Sequence, residues 1–425
     1  MPTYWFAFVI SVMAAASVAE PVDDIQRAAV ATALLAIAWG VLAKTAVCHA
    51  AIAAQRSPEK LSKIEGQLYR NLGIIRWAWI PAGFVAISQF GWDAVSLHLL
   101  GALGFTSIRT LQAVLLIAPG LSVACVIWWC EHQWGIWLDH VLSLKANRRK
   151  TAIAYVFDSF RLHALWMLLP MLGVLAAMDG IRWANQTDGQ VDSKWALLVL
   201  LFVPLLLPLA VRMAWRTKPL SNRWLSAVLA AARVPGLSIR SWDTDHRIST
   251  ALLVGVLPKV RMLIVSDRLV DQLTRPQLAM VLLHEIAHLN RFHLVLRLVA
   301  VLPIWAFVSS LSVFIVSVWM HGAFLLLGAL LTAAMLRWVS HLTEYDADQA
   351  ACRLAVEMYG TVDDVPNSAA WAARELTSAL EKITSSDHNS RKGTWLHPSL
   401  SARITRLTIL NAPKISTGTC PATGL

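Results

Sequence analysis

Over its first two hundred residues the chain alternates long apolar runs with short polar connections, and the pattern changes after residue 212. A membrane-crossing helix needs about 20 mostly apolar residues. The runs near that length are Tyr4–Ala19, Ala28–Ala54, Leu72–Phe90, Leu111–Trp129, Leu162–Met178, Trp195–Val211, Val299–Met320 and Ala323–Trp338. They predict about eight spans. The apolar stretch Ala94–Phe105 is too short to cross and reads as an interfacial or re-entrant piece. The first run ends in Ser17-Val18-Ala19, small residues of the kind found at a leader cleavage site, but no Lys or Arg precedes it. It is therefore read as a retained span.

Residues 213–297 form the first block polar enough to fold in water. Apolar positions at helical spacing predict a helix near Asn222–Arg233, broken by Val234-Pro235-Gly236. Strand-like runs follow at Leu237–Trp242, Ala251–Val256 and Arg261–Val265, with a turn at Leu257-Pro258-Lys259. From Arg275 the spacing is helical again, with Thr274 as N-cap and Pro276 in the first turn. The block from Val339 to about Leu410 reads as helical around a polar loop at Ser385–Lys392, and the Thr-, Gly- and Pro-rich tail is expected to fray. The expected organisation is a multi-span region at 1–212, two polar parts at 213–297 and 339–410 separated by a transmembrane hairpin at 298–338, and a tail at 411–425.

Composition agrees with a polytopic membrane protein. The 425 residues are 57% hydrophobic and 15% charged, against about a quarter charged in soluble domains. Twenty tryptophans fit the enrichment of Trp at the water–lipid boundary. The formal charge of +11 does not indicate nucleic acid, because the basic residues flank apolar runs. Arg56, Lys60, Lys63 and Arg70, then Lys145, Arg148, Arg149 and Lys150, then Arg212, Arg216, Lys218 and Arg223 occupy alternate connections. The connections between them carry Glu20, Asp23, Asp24, Asp93, Asp179, Asp188 and Asp192. By the positive-inside rule the basic set is cytoplasmic, which puts 213–297 and everything after Trp338 on the cytoplasmic side of an inner membrane. The sequon Asn185-Gln186-Thr187 then lies outside and reads as a chance match. Five cysteines without a CxxC pair suggest neither a disulfide framework nor a cysteine metal site.

The chemistry is concentrated in VLLHEIAHLN, residues 281–290. His284 and His288, four apart on a helix, can point at one ion. A catalytic zinc takes three protein ligands and keeps its fourth position open. The third ligand is sought in SHLTEYDADQA, where Glu344 and Asp348 share one helical face. A carboxylate at Glu344 completes a His–His–Glu set, and Asp348 is placed to orient a ligand histidine. Glu285, one position after a ligand, is rotated about 100° from it and suits a general base. His397 either donates to an oxyanion or caps the turn before Pro398, and Arg403 either pairs with a site carboxylate or lies on a solvated face. His293, nine residues after His284, projects to the far side of a straight helix and is read as structural; His163 and His321 are read as interfacial.

HEIAH, two apolar spans and then EYDAD together resemble the HtpX-like and CAAX-prenyl-endoprotease superfamily of membrane zinc metalloendopeptidases, over about Leu220–Leu407. TALLVG at 250–255, MLIVSDRLVDQL at 262–273 and HPSLSARI at 397–404 resemble further elements of that superfamily. The resemblance implies a zincin-like α+β domain split by a transmembrane hairpin in a mostly α protein. It implies one Zn2+ per chain at His284, His288 and Glu344, a catalytic Glu285 and a functional Asp348. It also implies a substrate-binding edge strand that includes Thr250, Ala251, Leu252 and Gly255, and protein or peptide substrates. Thr250 and His341 stand where relatives often carry Asn and Arg.

Three other functions compete. A signal-transducing sensor of the BlaR type would need an extracellular ligand domain, and the external connections are too short to fold one. A relict scaffold has no need to keep His284, Glu285, His288 and Glu344 together. A transporter is disfavoured by the lack of a charged cluster within the spans.

Overall fold

The computed structural model describes residues 2–19, 22, 24–141, 150–184, 203–244, 248–255, 257–312, 314–315, 318–385 and 393–411. The sequon, residues 195–202 of the sixth apolar run, Lys145, Arg148, Arg149, most of the polar loop after Ser385 and the tail from 412 lie outside the described residues. The chain divides into two units, Met1–Trp215 and Arg216–Leu425.

The first unit is helical: α1 (Pro2–Ser17), α2 (Ile25–Arg56), α3 (Leu61–Ser88), α4 (Trp92–Ala102), α5 (Arg109–Val141), α6 (Ala152–Ala184) and α7 (Val203–Ala214). Asp24 starts α2 by accepting the Arg27 amide at 2.9 Å. A π turn at Arg161–Leu165 interrupts α6. At 11 residues α4 is about 16 Å long, too short to cross a bilayer. The core is aromatic, with Tyr4, Trp5, Trp79, Trp128 and Trp134 all buried.

Among the described residues four helices are long and apolar enough to cross a membrane: α2, α5, α6 and Leu326–Glu357 of the second unit. A fifth is reached if the bent pair Arg275–Asn290 and His293–Val308 is one span. About eight were expected, and most of the sixth apolar run lies outside the described residues. Helix α1 has only 16 residues, α3 carries Arg70 and Arg76 among its apolar positions, and α7 is described for 12 residues. Charged residues do pair near the ends of two of the apolar runs. Arg76 of α3 and Glu131 of α5 form a buried pair at 2.8 Å. The sequence reading ended the α5 span at Trp129, whereas the helix continues to Val141 and carries Glu131 into the core.

The second unit opens with a four-stranded sheet of β1 (Thr217–Pro219), β2 (Ser238–Trp242), β3 (Ala251–Val254) and β4 (Met262–Ser266), in the order β1-β2-β4-β3. The β2–β4 pair is parallel and the other two are antiparallel. All five residues of β4 are buried, which explains its unbroken apolar sequence. β1, three residues with a proline, gives no strand signal in the sequence. Helix α8 (Arg223–Ala231) begins where the Asn222 side chain accepts the Trp224 and Leu225 amides. The break after it needs Gly236 at φ +71°, where a Cβ would sit 2.5 Å from the Pro258 carbonyl oxygen. The short α9 (Asp267–Gln272) leads to α10 (Arg275–Asn290), α11 (His293–Ser312), α12 (Val318–Glu357), α13 (Ala369–Ser385) and α14 (Leu400–Asn411).

Helices α11 and α12 form an antiparallel hairpin. Val308 lies against Gly328, and Arg297 bonds to Thr343 and Glu344. Gly328 is needed for the close approach, since a Cβ there would stand 2.7 Å from Val308 Cγ2. The hairpin returns the chain from α10 to the end at which it left, so residues sixty apart in sequence can share one site.

Candidate active site

Helix α10 is fixed before it reaches the site. The Thr274 amide donates to Gln277 Oε1 at 3.2 Å, half of a capping box. Gln277 also accepts from Lys382 Nζ at 2.8 Å and donates to Ser378 Oγ at 3.0 Å, which ties the first turn to α13. Every residue from Gln277 to His284 is buried. The helix therefore runs through the core and presents His284, Glu285 and His288 to a cavity of about 840 Å³.

His284, His288 and Glu344 converge. His284 Nε2 lies 3.2 Å from His288 Nε2 and 3.6 Å from Glu344 Oε2, and His288 Nε2 lies 3.4 Å from Glu344 Oε1. Ligands at about 2.0–2.1 Å from a tetrahedral zinc stand roughly 3.3–3.4 Å from one another. The three side chains thus lie close enough together to hold one ion, and their N/O chemistry suits zinc. Glu285 lines the same cavity and faces the Leu253 amide of β3.

Asp348 stands behind His284. Its Oδ1 is 2.9 Å from His284 Nδ1, within ion-pair range, although the contact is not aligned as a hydrogen bond. Arg403 of α14 grips the same carboxylate with two bonds, Nε to Oδ2 at 2.9 Å and Nη2 to Oδ1 at 2.5 Å. Burial opposes the charge on Arg403, but the Asp348 carboxylate outweighs it and raises the guanidinium pKa above its ordinary value. Of the two readings of Arg403, the structure shows pairing with the site carboxylates; Nη1 also lies 3.6 Å from Glu344 Oε2. His397 Nδ1 sits 3.1 Å from Glu344 Oε2 with its side chain half exposed at the cavity. Its backbone also closes a turn, the amide donating to Thr394 Oγ1 and the carbonyl accepting the Thr394 amide.

Thr250, Ala251, Leu252 and Gly255 line the cavity along β3, one of the two edge strands of the sheet among the described residues. The register decides which backbone groups face it. The Ser266 amide donates to the Thr250 carbonyl, so in this antiparallel pair Thr250, Leu252 and Val254 turn their backbone groups toward β4. Ala251 and Leu253 turn theirs toward the cavity.

Two nearby residues were not anticipated. Arg297 of α11 donates from Nη2 to Thr343 Oγ1 at 2.7 Å and to Glu344 Oε1 at 3.3 Å. His293 was expected on the far side of the helix, but that projection assumed a straight helix. The axis instead bends by 45° between α10 and α11, with Phe292 at φ 52°. His293 is thereby turned back onto His288, their Nδ1 atoms 2.8 Å apart. An Arg or His at the start of a new helix leaves no periodic signal, so spacing alone does not find either residue.

Fold and cluster together describe a small α+β domain whose two halves are joined through an apolar helical hairpin and which gathers a His–His–Glu group able to hold an ion. More particularly, residues 217–410 match the model for Peptidase family M48. Among solved structures the chain is similar to the crystal structure of S. mikatae Ste24p, at 16% identity, covering 91% of this chain and 100% of that one, with a TM-score of 0.49. No curated protein matches the chain.

Proposed function

We propose that the chain is a membrane-embedded zinc metalloendopeptidase that hydrolyses peptide bonds of membrane or membrane-associated proteins, in proteolytic quality control or processing. The observation that carries this reading is the convergence of His284, His288 and Glu344 beside an edge strand of the described sheet. These three residues would hold one zinc per chain. When bound, the ion supplies acidification of a water and polarisation of the scissile carbonyl.

The remaining roles belong to the chain. Glu285 takes the proton from the attacking water and delivers it to the leaving amine. Asp348, held by Arg403, orients His284. His397 and Arg403, both cavity-lining, are placed to donate to a developing oxyanion or to a substrate carbonyl. An extended substrate segment pairs with β3 by strand addition, using the Ala251 and Leu253 backbone. The alternation of basic and acidic connections supports an inner-membrane protein with its site at the cytoplasmic face. A metalloprotease-type signal-transducing sensor of the BlaR type and an inactive scaffold remain the alternatives; the external connections are too short for the sensor's ligand domain, and the scaffold leaves the intact ligand set unexplained.

The test is paired. Zinc content and cleavage of a membrane protein substrate are measured for the parent chain and for Glu285→Gln. The expected result is full zinc content with cleavage reduced by about 10²-fold or more. Equal cleavage by both proteins removes Glu285 as the base, and a parent chain without zinc removes the metal reading.

A further inference from the structure

We propose that His293 and Asp346 form a positioning relay that sets the tautomer and ring orientation of His288. The proposal rests on the metal reading above, in which His288 is a ligand through Nε2.

His288 directs Nε2 into the cluster, toward His284 Nε2 at 3.2 Å and Glu344 Oε1 at 3.4 Å. Its other nitrogen, Nδ1, meets His293 Nδ1 at 2.8 Å. The far nitrogen of His293, Nε2, is 3.0 Å from Asp346 Oδ2. Two ring nitrogens at hydrogen-bond distance share one proton, and an ionised carboxylate only accepts. With Nε2 of His288 kept bare for the metal, the protons have one consistent placement. His293 carries its proton on Nε2 and donates it to Asp346. Its Nδ1 is then bare and accepts the Nδ1 proton of His288. The lone pair of His288 is left on Nε2, facing the cluster, which is the form that binds a metal. The reverse placement would put the His288 proton on Nε2, where it blocks the metal, and leave Asp346 facing a bare nitrogen.

The setting suits this role. His293 is only 3% exposed, so water does not substitute for it. Asp346 lies at the rim, with Arg291 Nη1 3.7 Å from its other oxygen. The two ligand histidines are thus served differently. His284 has the Asp348 carboxylate directly behind it, whereas His288 reaches its carboxylate through a second imidazole. Partners behind a ligand histidine fix its orientation and raise its basicity.

The test measures the zinc affinity of the purified full-length chain by competition with a chromophoric chelator at one fixed pH. The parent is compared with His293→Leu, His293→Gln and Asp346→Asn. His293→Leu removes the acceptor and is expected to weaken zinc binding by about 10- to 100-fold. His293→Gln offers a carbonyl to His288 and an amide to Asp346, and is expected to recover most of that loss. Asp346→Asn is expected to weaken binding several-fold. A purely structural His293 predicts equal effects for Leu and Gln, and that result, or a Leu variant within twofold of the parent, overturns the relay. If His293→Leu does not fold, the other two variants decide, and unchanged affinity in Asp346→Asn refutes the proposal. A parent chain that binds no zinc refutes the ligand set itself, and the relay with it; failure confined to the variants refutes the relay alone.

Discussion

Asp348 is shared between a ring and a cation. One oxygen faces His284 Nδ1, and both are held by the Arg403 guanidinium. Asp348 is 2% exposed and Arg403 8%, so neither charge has water to fall back on. Removing one partner of such a pair strands the other and costs about 3–5 kcal/mol. Arg403→Met is therefore expected to destabilise the chain by about that amount. Equilibrium unfolding of the detergent-solubilised protein measures it, and a change below 1 kcal/mol (about a fivefold shift in the equilibrium) contradicts the pairing. Arg403→Lys keeps the charge but loses the two-pronged geometry, and should fall between.

Among the elements, β3 makes the sharpest claim. Because Thr250, Leu252 and Val254 face β4, a proline at Leu252 removes a sheet bond, whereas a proline at Leu253 leaves the sheet bonds and removes the cavity-facing amide, which also bonds Glu285. Leu253→Pro is expected to lower cleavage by at least tenfold while zinc content stays that of the parent. Leu252→Pro is expected to lower stability as well. Equal activity of Leu253→Pro and parent would rule out strand addition there. The sequence made the strand visible through its alternation, but not which side of it is open, because that depends on pairing with a partner. The same division runs through the site. His284, His288, Glu344 and Asp348 were legible because each pair lies four apart on one uninterrupted helix. His293 and Arg297 were not, because a left-handed residue at Phe292 resets the helical phase. The short strand β1 and the Arg76–Glu131 pair escaped for another reason: three residues carry no period, and a charge just beyond an apolar run looks like its end.

At the scale of the whole molecule, the composition pointed to a membrane protein, while the number of spans depended on how far each helix continues past its apolar core. The three donor residues arrive at the site on unlike supports. The histidines ride α10, which is separated from the hairpin by a 45° bend. Glu344 rides α12, an unbroken helix of 40 residues that includes the span Leu326–Glu357. Such a helix behaves as a lever. Glu344 is eighteen residues beyond Leu326, about 27 Å along the axis, so a change in tilt of about 5° swings it by roughly 2 Å. Long apolar helices adjust their tilt to the thickness of the bilayer that holds them. A displacement of about 1 Å at a reacting centre can cost about 10²-fold in rate. Cleavage by the chain reconstituted in vesicles of graded acyl-chain length is thus expected to pass through a maximum, and a flat profile would show the lever to be locked. On that expectation the continuity of α12 makes bilayer thickness an input to the geometry of the cluster, and lipid in contact with the span tunes cleavage without touching the cluster itself.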